Sequence, residues 1–174
     1  MKKLFIILIS MAMFVFFSPF ANAQSSTCAA NATVVPTMTI SKLADVNFGQ
    51  ILSTTSGAVD LKPTGTGSTN VGTSAAAGEF QITGGLGASV SVTYDASVTL
   101  NGPSSNTMTL NTELAGLSTS TQGSATAFTG SPETITLDGT SGDYYIWVGG
   151  SLGSLSSQAT GTYTGTFNIS VAYN

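Results

Sequence analysis

The last fourteen residues of the chain alternate strictly between two kinds of side chain. Large apolar or aromatic residues and glycine fill one parity, and small residues, mostly polar, fill the other: Tyr163, Gly165, Phe167, Ile169, Val171 and Tyr173 against Thr164, Thr166, Asn168, Ser170 and Ala172. A period of two residues places these sets on opposite faces of a β-strand. The pattern predicts a long terminal strand, central in its sheet or lining a groove, whose inner face is formed by Tyr163, Phe167, Ile169, Val171 and Tyr173.

Shorter segments of the same kind precede this strand and are separated by glycine, proline and aspartate turns. We expect further strands at residues 58–62, 79–83, 89–100 (kinked near its middle), 132–137 and 144–148, and one beginning near Met108. The glycine pair that follows residue 148 is expected to interrupt the strand there. No segment combines an apolar period of about 3.6 residues with helix caps, so we expect no helix in the mature chain. About eight or nine short strands predict an all-β antiparallel sandwich.

The N-terminus has the pattern of a secretory signal. Two lysines precede an apolar run at residues 4–17, which is shorter than the ~20 residues that span a bilayer. A serine–proline pair follows the run, and Ala21 and Ala23 are small residues at positions that a signal peptidase reads. We therefore predict a cleaved signal peptide at residues 1–23, no membrane span after cleavage, and secretion through the periplasm.

The chain after the cut is expected to comprise a flexible segment, residues 24–32, and one β-sandwich domain, residues 33–174. The segment and the residues just after it alternate, with apolar side chains on one parity: Cys28, Ala30, Ala32, Val34, Pro36 and Met38. A proline cannot donate to a β-ladder, which places this stretch at a sheet edge or a bulge. The single cysteine is a free thiol or half of an intermolecular bridge, because no second cysteine exists for an intrachain disulfide.

The charge of the chain excludes several classes of partner. Removal of the signal leaves two lysines against eight carboxylates, a formal charge of −6 instead of −4, with no arginine and no histidine. Nucleic-acid binding needs clustered basic groups that displace phosphate counterions. Two lysines cannot supply such a cluster, so we expect no binding to nucleic acid or to an anionic membrane surface.

The residue types also argue against catalysis. Without histidine, general-base and metal-ligand roles fall to the carboxylates and the one cysteine, and that cysteine has no histidine partner to make it a thiolate nucleophile. The aspartates are scattered, mostly in turns beside glycine, where an aspartate caps its own backbone: Asp45, Asp60, Asp95, Asp138 and Asp143. We expect no enzymatic activity, no cofactor and no metal site.

One aromatic cluster has two interpretations. Trp147 and Tyr145 share a face of the predicted strand, and Tyr144 and Ile146 share the other. Trp147 and Tyr145 are candidate glycan contacts, since aromatic rings stack on sugars, but packing in the core explains the same pattern and is favoured.

Several short motifs occur in an order and spacing that resembles a known family. They are Leu43…Val46-Asn47-Phe48-Gly49-Gln50-Ile51, Gly78-Glu79-Phe80-Gln81-Ile82-Thr83-Gly84, Val148-Gly149-Gly150-Ser151-Leu152, Gly161-Thr162-Tyr163-Thr164-Gly165-Thr166-Phe167 and Val171-Ala172-Tyr173. This series resembles a family of secreted bacterial domains of unknown function, which is similar to the Mat/Ecp-type fimbrillins and, more distantly, to chaperone–usher pilins and spore-coat-U-like domains.

The resemblance implies an immunoglobulin-like, pilin-like sandwich and a place at the cell surface. The function that it implies is a structural subunit of a fimbria-like filament, joined to identical or related subunits by β-strand exchange, with a periplasmic chaperone and an outer-membrane usher as partners. Assembly would then involve the inner face of the terminal strand together with Val34 and Met38. Whether the N-terminal segment donates a strand or completes its own sandwich stays open, because its residues before Val34 are small. A secreted carbohydrate-binding or adhesin module is the alternative.

Overall fold

The computed structural model describes residues 24–153, 155 and 158–174. The predicted signal peptide, residues 1–23, lies outside the described residues. The chain divides into two units, Met1–Val34 and Val35–Asn174. In the first unit, residues 24–34 are exposed and form no helix or strand. The second unit contains all the strands described below.

Alternating β-branched and apolar residues form ten strands in the described part of the chain. They are β1 (Thr39–Ala44), β2 (Val59–Leu61), β3 (Gly78–Thr83), β4 (Ser89–Tyr94), β5 (Ser97–Asn101), β6 (Thr107–Leu117), β7 (Thr126–Ala127), β8 (Glu133–Thr136), β9 (Asp143–Leu152) and β10 (Ile169–Tyr173). The helical elements of this part are two 3₁₀ turns, Pro103–Ser105 and Gln122–Ser124. Among the described residues, no helix is both long and apolar enough to cross a bilayer.

The strands form two antiparallel sheets. The larger has seven strands in the order β1-β3-β9-β6-β5, with β2 on β9 and β7 on β6, and the smaller has the order β10-β4-β8. The fold is therefore the predicted all-β sandwich. It has ten strands where the sequence predicted about eight or nine, because the short β7 carried no clear pattern and the kinked strand at residues 89–100 counts as two.

The space between the sheets is filled by one parity of each strand. In the first cluster, residues of the large sheet meet residues of the small sheet and of the turn after β8: Ile82, Leu114, Ile146 and Val148 against Val90, Val92, Ile135 and Leu137. A second cluster lies toward β5 and consists of Val59, Val98, Leu110, Leu152 and Leu155. Burying one such side chain fully contributes about 1.5–3 kcal/mol, so the first cluster holds the two sheets together. The second cluster joins strands of the large sheet to the segment after β9.

Two strand predictions need correction. The strand predicted to stop at Gly149 continues as β9 to Leu152. A Cβ atom at Gly149 would collide with the carbonyl oxygen of Leu61, and one at Gly150 with that of Asn111, so glycine lets the neighbouring backbones approach. The terminal strand is shorter than predicted, since regular pairing begins only at Ile169. It is also not central, because β10 is an edge strand that pairs with β4 alone among the described residues.

Candidate functional site

A groove of about 770 Å³ opens on the sandwich domain, with an apolar floor and walls of mixed polar and apolar residues. One wall lies within residues 42–51, which comprise the end of β1 and the residues after it, and the other is formed by residues 158–167, which precede β10. The floor is formed by Phe80 and by residues of or beside the second core cluster: Val98, Leu100, Met108, Leu110, Leu152 and Leu155. We call this feature the groove.

Backbone contacts hold the first wall in place. The amide of Gly72 donates to the carbonyl oxygen of Phe48 over 2.8 Å, and Asn47 forms an antiparallel bridge with Ala76. Gly72 has no room for a side chain, because a Cβ atom there would meet the backbone of Gln50. Phe48, and Ile51 further along this wall, are only partly buried and pack against the second core cluster.

The second wall is anchored to β5. The amide of Asn101 donates to the carbonyl oxygen of Thr164 over 2.7 Å, and the Thr164 amide donates back over 3.0 Å. The Tyr163 ring lies against Gly102, where a Cβ atom would overlap it, and its hydroxyl donates to the carbonyl oxygen of Ala159 over 3.1 Å. This wall therefore continues the line of β10, but only Thr164 in it is paired as in a ladder.

Phe167 stands where the groove meets the first core cluster. Its ring centroid lies 6.1 Å from that of Phe80, with the rings tilted by 50°. The ring packs against both core clusters and is only partly buried. Apolar surface that a complete sandwich would cover is therefore open at this point.

The last strand is tied to the start of the domain by the Tyr173 hydroxyl. This hydroxyl accepts a hydrogen bond of 2.8 Å from the Gly85 amide and donates one of 3.0 Å to the carbonyl oxygen of Pro36. Gly84 leaves the space for it, because a Cβ atom there would lie 2.7 Å from the hydroxyl oxygen. The two contacts fix the place at which the chain leaves the domain before β1.

The predicted assembly residues fall into three groups. Tyr163 and Phe167 line the groove. Met38 and the inward residues of β10, Ile169, Val171 and Tyr173, pack on the first core cluster. Val34 belongs to neither of these groups, since 94% of it is exposed. The alternation holds within β10, where Ser170 and Ala172 are the exposed residues.

The candidate glycan contacts lie on the outer face of the large sheet. Tyr145 and Trp147 stack with ring centroids 6.3 Å apart, while Tyr144 and Ile146 point to the core. Trp147 is only 4% exposed, and the pocket beside it, of about 430 Å³, is lined by loop residues that include Val71, Ala75 and Gln122. The indole is therefore too buried to serve as an open stacking platform for a sugar. It is buried on the outer face of the large sheet and not in the core between the two sheets.

Both lysines of the domain lie in ion pairs. Lys42 pairs with Asp45 at the rim of the groove over 2.5 Å. The Lys62 Nζ atom lies 2.8 Å from a carboxylate oxygen of Asp60 and 2.9 Å from one of Glu113. The hydrogen bond to Asp60, and after it the one to Glu113, raises the pKa of the lysine. Among the described residues, no group of three or more potential ligands could hold a metal ion. The groove itself combines an apolar floor with neutral polar side chains and the Lys42–Asp45 ion pair.

Sequence reasoning missed most of the groove. Phe48 and Ile51 belonged to the quoted motif series, but nothing in their spacing indicated that they form a wall. Leu155 stands alone among glycine and serine residues, and Met108 was assigned only to a strand. Pattern analysis finds alternating segments, whereas these walls are mostly irregular backbone.

The sequence profile of the domain of unknown function DUF4402 matches residues 38–173, which covers the sandwich from the end of the exposed segment to β10. The chain therefore belongs to the DUF4402 family. Among curated proteins, no relative matches it.

Proposed function

We propose that this DUF4402 protein is a non-enzymatic structural subunit of a bacterial surface filament, exported through the periplasm and joined to its neighbours by β-strand addition. The observation that carries the proposal is the groove with its apolar floor, together with the edge strand β10, which follows one of its walls and pairs with β4 alone among the described residues. The resemblance of the motif series to Mat/Ecp-type fimbrillins and chaperone–usher pilins supports the same function.

The groove and the edge of β10 together offer what the addition of a strand requires. An added strand gains affinity from main-chain hydrogen bonds to an exposed edge, and specificity from pockets that take alternate side chains. The small sheet has three strands against seven in the large one, and β10 is at its edge. A strand laid along the second wall and β10 would cover the partly buried rings and side chains of the groove, among them Phe48, Leu100 and Phe167.

The same opening explains why partners would be needed during export. A long unpaired edge beside apolar surface promotes aggregation unless another chain covers it. A periplasmic chaperone would cover the groove until an outer-membrane usher exchanges it for the next identical or related subunit. Lys42 and Asp45 form an ion pair at the groove rim, so no net charge there would repel an exchanging strand.

A pair of charge substitutions on β5 tests the proposal. Leu100 lines the groove, whereas its neighbour Thr99 is exposed and faces away from the core. Cells that produce Leu100→Glu should lose surface filaments in electron micrographs, and cells that produce Thr99→Glu should keep them. Circular dichroism of both secreted proteins shows whether Leu100→Glu still folds, and Met108→Glu in the same groove serves as a second variant.

Two results would contradict the proposal. One is that cells lacking the protein carry the same surface appendages as cells that produce it, and that the producing cells release it as a monomer. The other is that folded Leu100→Glu and Met108→Glu proteins assemble as well as the unmodified protein.

A further inference from the structure

We propose that the outer face of the large sheet binds a neutral oligosaccharide, which stacks on Tyr145 and is held by the polar side chains beside that ring. This binding function goes beyond the proposed filament role and does not depend on it, because every residue concerned lies within one subunit. The aromatic contact is Tyr145 alone, since Trp147 is only 4% exposed and offers no open ring face.

The binding surface is a strip of side chains from two neighbouring strands, β3 and β9. Its three cross-strand pairs are Glu79 with Trp147, Gln81 with Tyr145, and Thr83 with Asp143. Directly opposite residues of an antiparallel pair project to the same side of a sheet. The residues between them in β9, Tyr144 and Ile146, pack in the first core cluster. The strip therefore lies on the outer face, and we call it the outer strip.

Tyr145 gives the outer strip an aromatic ring that is supported on one side. The Trp147 ring stacks on it from two residues further along β9, with the ring centroids 6.3 Å apart. Two residues in the other direction stands Asp143, whose side chain is much shorter than a ring. Tyr145 itself is only partly buried and lies outside both core clusters. The side of the ring toward Asp143 thus has room for a sugar, whose C–H groups pack against an aromatic face.

Hydrogen bonds fix the polar groups next to this ring. The Gln81 amide nitrogen donates to the Tyr145 hydroxyl over 3.3 Å and to Oδ1 of Asp143 over 3.2 Å, and the Thr83 hydroxyl donates to the same Oδ1 over 2.8 Å. These bonds leave Oδ2 of Asp143 to accept a hydrogen bond from a sugar hydroxyl, and the Tyr145 hydroxyl to donate one. Binding sites need a few such placed polar groups, and groups that are already ordered lose little freedom on binding.

The outer strip continues into a pocket, which sets the length of the ligand. Glu79 and Trp147 line this pocket of about 430 Å³ together with neutral polar residues of two loops: Ser68, Ser74 and Gln122. From Asp143 to Trp147 the strand rises about 13 Å, at ~3.3 Å per residue. The strip and the pocket together therefore accommodate more than one sugar ring, so the ligand is an oligosaccharide.

The charges along the outer strip select a neutral ligand. Asp143 and Glu79 carry negative charge, while Lys62 at the pocket is paired with both Asp60 and Glu113. A glycan with sialic or uronic acids would bring its carboxylates close to those of the strip, and like charges in contact oppose binding. Hydroxyl groups of neutral hexoses meet no such repulsion.

The test applies the purified mature monomer to an array of malto-, cello-, manno- and galacto-oligosaccharides together with sialylated and uronate-containing glycans. It should bind at least one neutral series and no acidic glycan. Titration with the bound series should also change the fluorescence of Trp147, the single tryptophan of the chain, because its ring stacks on Tyr145.

Variants locate the site by calorimetric titration with the same oligosaccharide. Tyr145→Ala should weaken binding at least tenfold, and Tyr145→Phe, which keeps the ring, should weaken it less. Asp143→Ala should also weaken binding, and it decides the matter if Tyr145→Ala does not fold, because the ring stays in place. The matched control is Thr134→Ala on the exposed face of β8 in the small sheet, which should bind as the unmodified protein does.

Three outcomes would overturn the proposal. They are the absence of binding to every neutral series, tighter binding of acidic than of neutral glycans, and unchanged affinity in folded Asp143→Ala and Tyr145→Ala proteins. The filament function is tested separately, by electron microscopy of cells. Loss of filaments from the proposal with glycan binding intact would contradict the proposed function alone, and filaments without glycan binding would contradict this inference alone.

Discussion

Phe167 offers the most direct test of how the open side of the sandwich is built. Truncating a fully buried phenylalanine to alanine costs about 3–5 kcal/mol, because transfer free energy is lost and a cavity remains. Phe167 is only partly buried, at the junction of the groove and the first core cluster, and its ring packs beside Phe80. We therefore expect Phe167→Ala to lower the free energy of unfolding of the monomer by ~1.5–3 kcal/mol.

Thermal and urea unfolding of the purified mature monomer measure this change. For a domain of this size, a loss of 1 kcal/mol corresponds to roughly 2–4 °C in Tm, so the variant should unfold roughly 3–12 °C lower. The matched control is Thr166→Ala, one residue earlier and exposed. It should change stability by no more than about 0.5 kcal/mol.

Two results would refute the reasoning. Equal destabilisation by Phe167→Ala and Thr166→Ala would contradict the alternation on which the inner face rests. A loss of about 3–5 kcal/mol in the monomer would mean that the ring is fully enclosed in the single subunit, and the groove would then not be open at Phe167.

Three further predictions concern the rest of the domain. Tyr173→Phe keeps the ring but removes both hydrogen bonds of the hydroxyl, so it should cost about 1–3 kcal/mol in urea unfolding, and an unchanged midpoint would refute the tie to Pro36. Gly149→Ala should destabilise the fold by about 1–3 kcal/mol, because the added Cβ atom would meet the backbone of Leu61. Gly123→Ala has open space around it and should be near neutral, so equal effects of the two variants would contradict the close approach of β2 and β9. Hydrogen bonds from the Thr140 hydroxyl and the backbone amides of residues 140 and 141 lower the pKa of Asp138 from 3.8 to about 2, so the stabilisation from its ionised form is complete above pH ~4 and declines as the pH falls through 2. Asp138→Ala should therefore unfold earlier than the unmodified protein at pH 7, and the difference should shrink as the pH is lowered from about 4 to 2; a difference that stays constant over this range would contradict the assignment.

The strands that the sequence predicted best are those buried on one face. β3, β4 and β5 lie within or close to their predicted limits, including the break near Asp95, because alternation there reflects a face that packs on the core. Gly149 shows where local rules fail. Glycine weakens a strand by propensity, but in β9 it is required by neighbouring backbones that no local pattern reveals. At Gly149 the close packing of a strand that is distant in sequence decides the structure.

The groove was hidden from sequence analysis for a related reason. A wall such as residues 42–51 becomes a wall only through partners more than twenty positions away, as in the bridge between Asn47 and Ala76. The terminal alternation correctly marked Phe167 and the inward residues of β10, yet it could not show that β10 has a strand neighbour on one side only within the described part of the chain. An unpaired edge is a property of the whole sheet. The alternating inner face of β10 and the open groove beside it are therefore two observations, and the case for strand addition needs both.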